Sequence, residues 1–175
     1  TIAREWENGT MEQLITTPLK PIELIVGKLM PYFLIGMLDV LLAVIMGQYL
    51  FEVPLRGNAA LVFGMSAIFL PGSLAMGLLI SIMTRSQLLA SQLAMVLTFL
   101  PSFLLSGFMY AVANMPAFIQ GITFFVPSRY FVFILKNIYL KGAGLQIILS
   151  EMVILIVFAV ALILIANKKL TKRLV

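Results

Sequence analysis

The sequence contains no histidine and no cysteine, and its 175 residues include a single aspartate, Asp39. Without histidine it lacks the usual general base and the commonest catalytic metal ligand. Without cysteine it cannot form disulfides, thiolate nucleophiles or iron–sulfur clusters, and one aspartate cannot form an aspartyl dyad within the chain. We therefore expect no catalytic site and no metal site, so the chain is not expected to be an enzyme.

Charge is also scarce, because 11% of the residues are charged while 62% are hydrophobic, with a mean hydropathy of +1.09. A soluble domain has about 45–50% apolar and about 25% charged residues, and it could not bury this much apolar surface. The composition predicts an integral membrane protein in contact with the lipid bilayer, and we expect no nucleic-acid partner.

Long charge-free runs locate the membrane spans, since about 20 apolar residues cross the hydrocarbon core. The sequence predicts an all-α polytopic transmembrane helical bundle with four spans, at about 29–51, 59–83, 87–110 and 147–166. The 43 uncharged residues between Arg85 and Arg129 could hold a fifth span. Four spans place eight of the twelve Lys and Arg residues on one side, whereas five spans place seven there. The positive-inside rule therefore favours four spans with both chain ends cytoplasmic.

Residues 111–141 then lie on the outer side of the membrane. We expect a re-entrant hairpin near Met115–Val126, because non-helical backbone at membrane depth is tolerated where protein or water satisfies it. The mixed aromatic and basic residues of 129–141 predict an interfacial helix that ends at Gly142. A plain outer loop is the alternative.

Residues 1–28 form a polar cytoplasmic or interfacial segment that carries seven of the nineteen charged residues. Thr10 begins a capping box, T-M-E-Q, which predicts a new short helix from Met11. Met11 and Leu14 share an apolar face of that helix, and Pro18 ends it. A short amphipathic helix with carboxylates beside its apolar face is suited to docking a cytoplasmic protein. A helix lying on the lipid headgroups is the alternative.

The segment from Arg4 to Pro18 reads REWENGTMEQLITTP and resembles the R-E-x-E-x-G-T-x-E-x-L-x-x-T-P segment of type 2 ATP-binding-cassette (ABC) export permeases. The later PSRYF and KGAG segments resemble the outer segment before that family's last helix. The resemblance covers residues 1–175 and implies the C-terminal part of a permease domain with six spans. The start of the chain at Thr1, without Met or a signal peptide, fits the same expectation of a partial domain.

The resemblance implies a permease subunit of an ATP-driven exporter in a bacterial or archaeal plasma or inner membrane. It implies that a coupling segment contacts a nucleotide-binding ATPase subunit through Arg4, Glu5, Glu7, Gly9, Thr10, Met11, Glu12, Leu14 and Pro18. No G-x-x-x-x-G-K-[ST] motif occurs, so ATP and magnesium are expected in the partner and no cofactor in this chain. A second permease subunit, forming a homodimer or heterodimer, is also implied. A passive channel or scaffold subunit without an ATPase partner is the alternative.

Two acidic residues are candidates for the substrate pathway: Asp39 near the middle of the first span, and Glu151 one turn into the last. An ionisable group in a span costs about 2.5–3.5 kcal/mol on insertion scales, which favours a functional role. A structural hydrogen bond for Asp39 and a position beside a helix N-terminus for Glu151 are the alternatives. Separately, Ser73 and Gly77 form a small-xxx-small pattern that predicts close helix packing.

Overall fold

The computed structural model describes residues 2–10, 20–84 and 86–174, with side chains up to Thr171. Within these ranges every regular element is helical, so the predicted all-α class is confirmed. The elements are α1 (Ile2–Glu7), α2 (Pro21–Tyr49), α3 (Ala59–Met83), α4 (Gln87–Ala94), a π-helical turn (Met95–Phe99), α5 (Leu100–Leu105), a 3-10 turn (Val112–Asn114), α6 (Ala117–Thr123), α7 (Pro127–Lys141) and α8 (Leu145–Leu174).

Four helical stretches are long and apolar enough to cross a membrane, namely Pro21–Tyr49, Ala59–Met83, Gln87–Leu105 and Leu145–Thr171. The predicted polytopic bundle with four spans is confirmed on these criteria of length and composition. Helices α6 and α7 are bent by 87° relative to one another, and they would add a fifth span only if the pair were one broken span.

The third span ends at Leu105, whereas the sequence predicts a span over 87–110. Pro101 cannot donate a backbone hydrogen bond, and a π-helical turn ends two residues before it, at Phe99. Gly107 then adopts φ +80°, a left-handed conformation that glycine accepts readily and that turns the chain away from the helix.

Helix α3 lies at the centre of the bundle. In its most apolar stretch 44% of the residues are buried, compared with 6%, 6% and 17% in the other three spans. Its backbone comes close to α8, because a Cβ on Gly72 would lie 3.2 Å from the Cα and Cβ of Ala159. The sequence predicts close packing at Ser73 and Gly77, but a Cβ on Gly77 would have no contact within 4 Å. That prediction is wrong because Gly77 borders a cavity beside α3.

Two clusters of buried residues define the two ends of the bundle. The α1 end is built from Ile2, Ile25, Leu78, Ile82, Ala166 and Leu170. The loop end is built from Val44, Val62, Met65, Ile134, Ile138, Ile148 and Leu155. Helix α7 therefore belongs to the loop end, opposite to α1.

The α6–α7 pair reaches from the loop end to about the middle of the bundle. Near the C-terminus of α7, the Tyr139 carbonyl accepts a hydrogen bond of 3.3 Å from the Arg56 backbone N–H in the loop between α2 and α3. Closer to the bend, Phe131 stacks on Phe69 of α3 with ring centroids 4.3 Å apart. The bend itself borders a cavity with Ser73, which lies past the midpoint of α3.

The chain also enters this pair from the loop end. Lys136 of α7 donates from Nζ to the carbonyl of Gly107 at 2.7 Å, and Gly107 follows the third span almost directly. A helix pair that begins and finishes at the same end of a bundle has the geometry of a re-entrant hairpin, which the sequence predicts near Met115–Val126.

Candidate functional site

Helix α1 is fixed to the α1 end of the bundle by its first residues. Ile2 and Ala3 have no exposed surface, and Ile2 packs in the cluster that contains Ile82 and Leu170. The backbone N–H of Ala3 donates to Ser81 Oγ of α3 at 2.9 Å. This bond ties α1 to the central helix.

Glu5 connects α1 to α2 through an ion pair with Lys28, whose Nζ donates to Glu5 Oε1. The two side chains are mostly buried, with exposed fractions of 25% for Lys28 and 23% for Glu5. The pair is therefore less screened by water than a surface salt bridge, since the surrounding protein lowers the local dielectric constant. Lys28 precedes the predicted span at 29, yet it lies within α2.

Glu7 connects α1 to the third span. Its Oε2 accepts a hydrogen bond of 2.9 Å from the backbone N–H of Gln87, the first residue of α4. A carboxylate in this position also interacts favourably with the positive end of the helix dipole. The contacts Ala3–Ser81, Glu5–Lys28 and Glu7–Gln87 together join α1 to three of the four spans, and they are named the α1 clamp below.

The other residues predicted for partner binding divide into two groups. Arg4 is exposed on α1, Gly9 adopts φ +70° after the helix, and the Thr10 hydroxyl donates to the Glu5 carbonyl at 3.4 Å. Met11, Glu12, Leu14 and Pro18 lie outside the described residues. The amphipathic helix expected from Met11, and the contacts of all these residues with a partner, stay predictions.

The structure does not bring the two predicted pathway residues together. Asp39 lies on the surface of α2, next to the exposed side chains of Leu38 and Leu42. Glu151 is partly buried near the start of α8, where its Oε2 accepts a hydrogen bond of 2.6 Å from Ser150 Oγ. Glu151 lines a cavity at the loop end that does not include Asp39. No group of three or more acidic side chains that could hold a metal ion occurs in the part of the chain that the structure describes.

Sequence reasoning missed a cavity of about 340 Å³ beside α3 at the α1 end. Its polar wall consists of Lys28, Tyr32, Ser73, Ser81, Gln87 and Ser91. Three of these residues, Lys28, Ser81 and Gln87, also belong to the α1 clamp, so the clamp and the cavity share a wall. Lys28 and Tyr32 are four residues apart, as are Gln87 and Ser91, so each pair shares one helix face. This spacing is the sequence signal that could have indicated the cavity.

The chain matches one transporter family and several named permeases. The sequence profile described as ABC-2 family transporter protein matches residues 1–168. The probable multidrug ABC transporter permease YbhS of Escherichia coli strain K12 is 42% identical over 173 residues, which are 99% of this chain and 46% of that protein. YbhR, with the same description and from the same strain, is 32% identical over 152 residues, 87% of this chain and 41% of that protein.

A more distant relative is the linearmycin resistance permease protein LnrN of Bacillus subtilis strain 168, which is 28% identical over 162 residues. Those residues are 91% of this chain and 41% of that protein, so the chain spans less than half the length of these relatives. No solved structure matches the chain significantly. Because the family profile covers almost the whole chain, the resemblance to type 2 ABC permeases is confirmed, and the chain belongs to the ABC-2 family of transporter proteins.

Proposed function

We propose that this chain is part of a membrane-spanning permease subunit of an ATP-driven exporter, with ATP hydrolysis in a separate nucleotide-binding subunit. Family membership and four apolar helices support the permease assignment. The observation that carries the proposal is the α1 clamp, because it links α1 to three spans. Under this proposal the chain is not an enzyme and holds no cofactor, whereas ATP and magnesium bind to the partner.

The clamp suits the transmission of force from a docked ATPase. We propose that the ATPase subunit binds residues 4–18 and that its closure moves α1. Ser81, Lys28 and Gln87 belong to three different spans, so a displacement of α1 acts on all three at once. The result is a rigid-body rearrangement of the bundle, which is a common form of switching between two states.

We also propose a membrane orientation, with α1 and both chain ends cytoplasmic and the α6–α7 hairpin on the outer side. The basic residues Lys20 and Lys28 at the α1 end, together with Lys168 and Lys169 near the end of α8, support it through the positive-inside rule. A second permease subunit would face this one, and the cavity that contains Ser91 would form the cytoplasmic part of a substrate route between them.

The docking proposal predicts loss of the ATPase partner when the amphipathic segment is altered. We expect Glu12→Lys combined with Leu14→Ser to weaken association by about 30-fold or more, since central interface residues are worth about 2 kcal/mol or more each. The measurement is co-purification of the ATPase subunit with the tagged full-length permease. Lys169→Gln, which changes an exposed residue near the end of α8 and outside residues 4–18, is the control and should retain the partner. Full retention by the double variant would refute docking at this segment.

Asp39 provides a second prediction. Its carboxyl group lies on the bundle surface within a span, where an ionisable group costs about 2.5–3.5 kcal/mol unless a partner or water compensates. We expect Asp39→Asn to insert at least as well as the native chain but to lower export by about tenfold, the effect of losing ~1.4 kcal/mol of interaction. Export is measured as efflux of a fluorescent dye from intact cells. Glu52→Gln, at the exposed end of the first span, is the control, and unchanged efflux by Asp39→Asn would remove Asp39 from the pathway.

A further inference from the structure

A cavity at the loop end holds two cationic side chains and one carboxylate. It has a volume of about 660 Å³ and lies between α7, α8 and the segment that follows the third span. Arg129 and Lys136 of α7 line it together with Glu151 of α8. Small-molecule sites in proteins typically occupy about 300–1,000 Å³, so the cavity is large enough for a ligand.

Both cations have only neutral partners. The Arg129 guanidinium lies over the ring of Phe124, with Cζ 4.0 Å from the ring centroid, and Nη1 donates to Thr123 Oγ1. Lys136 donates from Nζ to the carbonyl of Gly107 at 2.7 Å. Neither cation forms an ion pair with any described residue. Most of the hydrogen-bond donors of the guanidinium therefore stay available to a ligand.

Glu151 does not neutralise the cavity. Its Oε2 is bonded to the Ser150 hydroxyl, and it forms no ion pair with Arg129 or Lys136. Even if its charge is counted, two cations and one carboxylate leave an excess positive charge. Lys136 is exposed and Arg129 is partly buried, so an anion can reach both cations from the mouth of the cavity.

The remaining walls indicate what kind of anion fits. Val112, Val132, Phe133 and Ile154 are apolar, and the exposed fractions of 45% for Phe133 and 37% for Ile154 give the cavity an apolar rim. Arg129 and Lys136 are seven residues apart, so they lie on one face of α7, about 10 Å apart along its axis. Apolar side chains beside two accessible cations fit a ligand with an acidic head and an apolar chain.

We propose that this cavity binds an acidic amphiphile, with its phosphate or carboxylate head against Arg129 and Lys136 and its chain along Phe133 and Ile154. Charge complementarity accounts for the head, and the apolar rim accounts for the chain and for entry from the bilayer. Two sources have this chemistry, namely an anionic phospholipid and an acidic amphiphile that the protein transports. The binding site does not depend on the proposed ATPase partner.

The test uses the full-length permease in neutral detergent, with dodecyl phosphate as the probe and dodecylphosphocholine as a zwitterionic control of equal chain length. We expect preferential binding of dodecyl phosphate. Arg129→Gln with Lys136→Gln should weaken that binding by about tenfold or more, because hydrogen bonds between ionised groups are the strong ones. Lys141→Gln removes an exposed cation of α7 outside the cavity and should leave binding unchanged.

Further variants separate ligand binding from folding. Arg129→Lys with Lys136→Arg keeps both charges and should retain binding of dodecyl phosphate, while gel filtration verifies that every variant is folded. Glu151→Gln should tighten binding, because it removes the competing carboxylate. Equal binding of both detergents, or an equal loss in Lys141→Gln, would overturn the proposal. A Glu151→Gln variant that melts at a lower temperature and binds no dodecyl phosphate would also overturn the proposal. That result would mean that Glu151 itself neutralises the two cations.

The same permease in nanodiscs that contain phosphatidylglycerol distinguishes the two sources. Phosphatidylglycerol that is retained in native mass spectrometry and resists displacement by dodecyl phosphate identifies a bound lipid. Displacement, together with ATP-dependent movement of dodecyl phosphate across proteoliposomes, identifies a transported amphiphile. Retention of the lipid and transport of the probe both support the binding site. Failure of the permease to bind an ATPase subunit is a separate result, and it would contradict only the proposed function.

Discussion

Replacing Gly72 with leucine is expected to cause a large loss of folded permease. A Cβ at this position would lie 3.2 Å from both the Cα and the Cβ of Ala159, which is tighter than ordinary van der Waals contact. A leucine side chain therefore forces α3 and α8 apart, and overpacking of this kind costs about 1–3 kcal/mol or more. The effect is large in a membrane because helix association there depends on close packing between small residues.

Gly64 provides a matched control on the same helix. It is exposed, and a Cβ at that position would have no contact within 4 Å, so Gly64→Leu should leave stability nearly unchanged. The measurement is gel filtration of the detergent-solubilised permease after heating, and Gly72→Ala should fall between the native protein and Gly72→Leu. Equal thermal midpoints for Gly64→Leu and Gly72→Leu would show that the α3–α8 contact does not limit stability.

The spans could be predicted from the sequence because the thickness of the bilayer sets the length of each apolar run. Helix α3 covers Ala59–Met83, where the sequence predicts a span at 59–83. Helix α2 instead begins at Pro21, because a helix can continue beyond the hydrocarbon core when its charged residues find partners. Lys28 has such a partner in Glu5, which lies on a separate helix that hydropathy does not relate to it.

Close packing was predicted at the wrong residues for a related reason. A small-xxx-small pattern shows that a helix face can approach a neighbour, but it does not identify the neighbour. The backbone of α3 approaches α8 at Gly72, while the face with Ser73 and Gly77 borders a cavity. The distinction depends on how α3 is rotated in the bundle, and α3 has contacts on several sides.

The candidate site was only partly accessible from the sequence. A local motif marked Glu5 and Glu7 as important, since the spacing of that motif matches a known family. The contact between Glu7 and Gln87 joins residues 80 positions apart, and no local pattern indicates it. The loop-end cavity likewise requires α7 and α8 together, although the seven-residue spacing of Arg129 and Lys136 already places both on one helix face.

Reversing the charge of Glu5 is expected to disconnect α1 from α2. Glu5→Lys places a second cation beside Lys28 in a position that is about three-quarters buried, where repulsion is only weakly screened. Breaking a fully buried ion pair costs about 3–5 kcal/mol, and the partial exposure of this pair reduces the expected cost to about 1–2 kcal/mol. The permease should therefore still fold, while the motion of α1 no longer reaches α2.

A reporter thiol makes this transmission measurable without a known substrate. The chain has no cysteine, so Ser91→Cys, in the cavity at the α1 end, provides the one thiol of this segment in an otherwise cysteine-free complex. In the native background we expect ATP with vanadate to change the rate at which a maleimide labels this thiol. Glu5→Lys should reduce that change in complexes whose bound ATPase subunit is verified by co-purification, because Lys28 and Ser91 line the same cavity.

The reciprocal reversal distinguishes an ion pair from a simple packing role. Glu5→Lys combined with Lys28→Glu restores opposite charges, so the nucleotide-dependent change in labelling should return to its native size, although each single reversal reduces it. Lys169→Glu reverses an exposed charge near the end of α8, outside residues 4–18, and should preserve the change in labelling. If the double reversal behaves like the single ones, side-chain shape rather than charge attraction holds α1 to α2. If Glu5→Lys keeps the full response, force reaches the bundle through Ser81 and Gln87 alone.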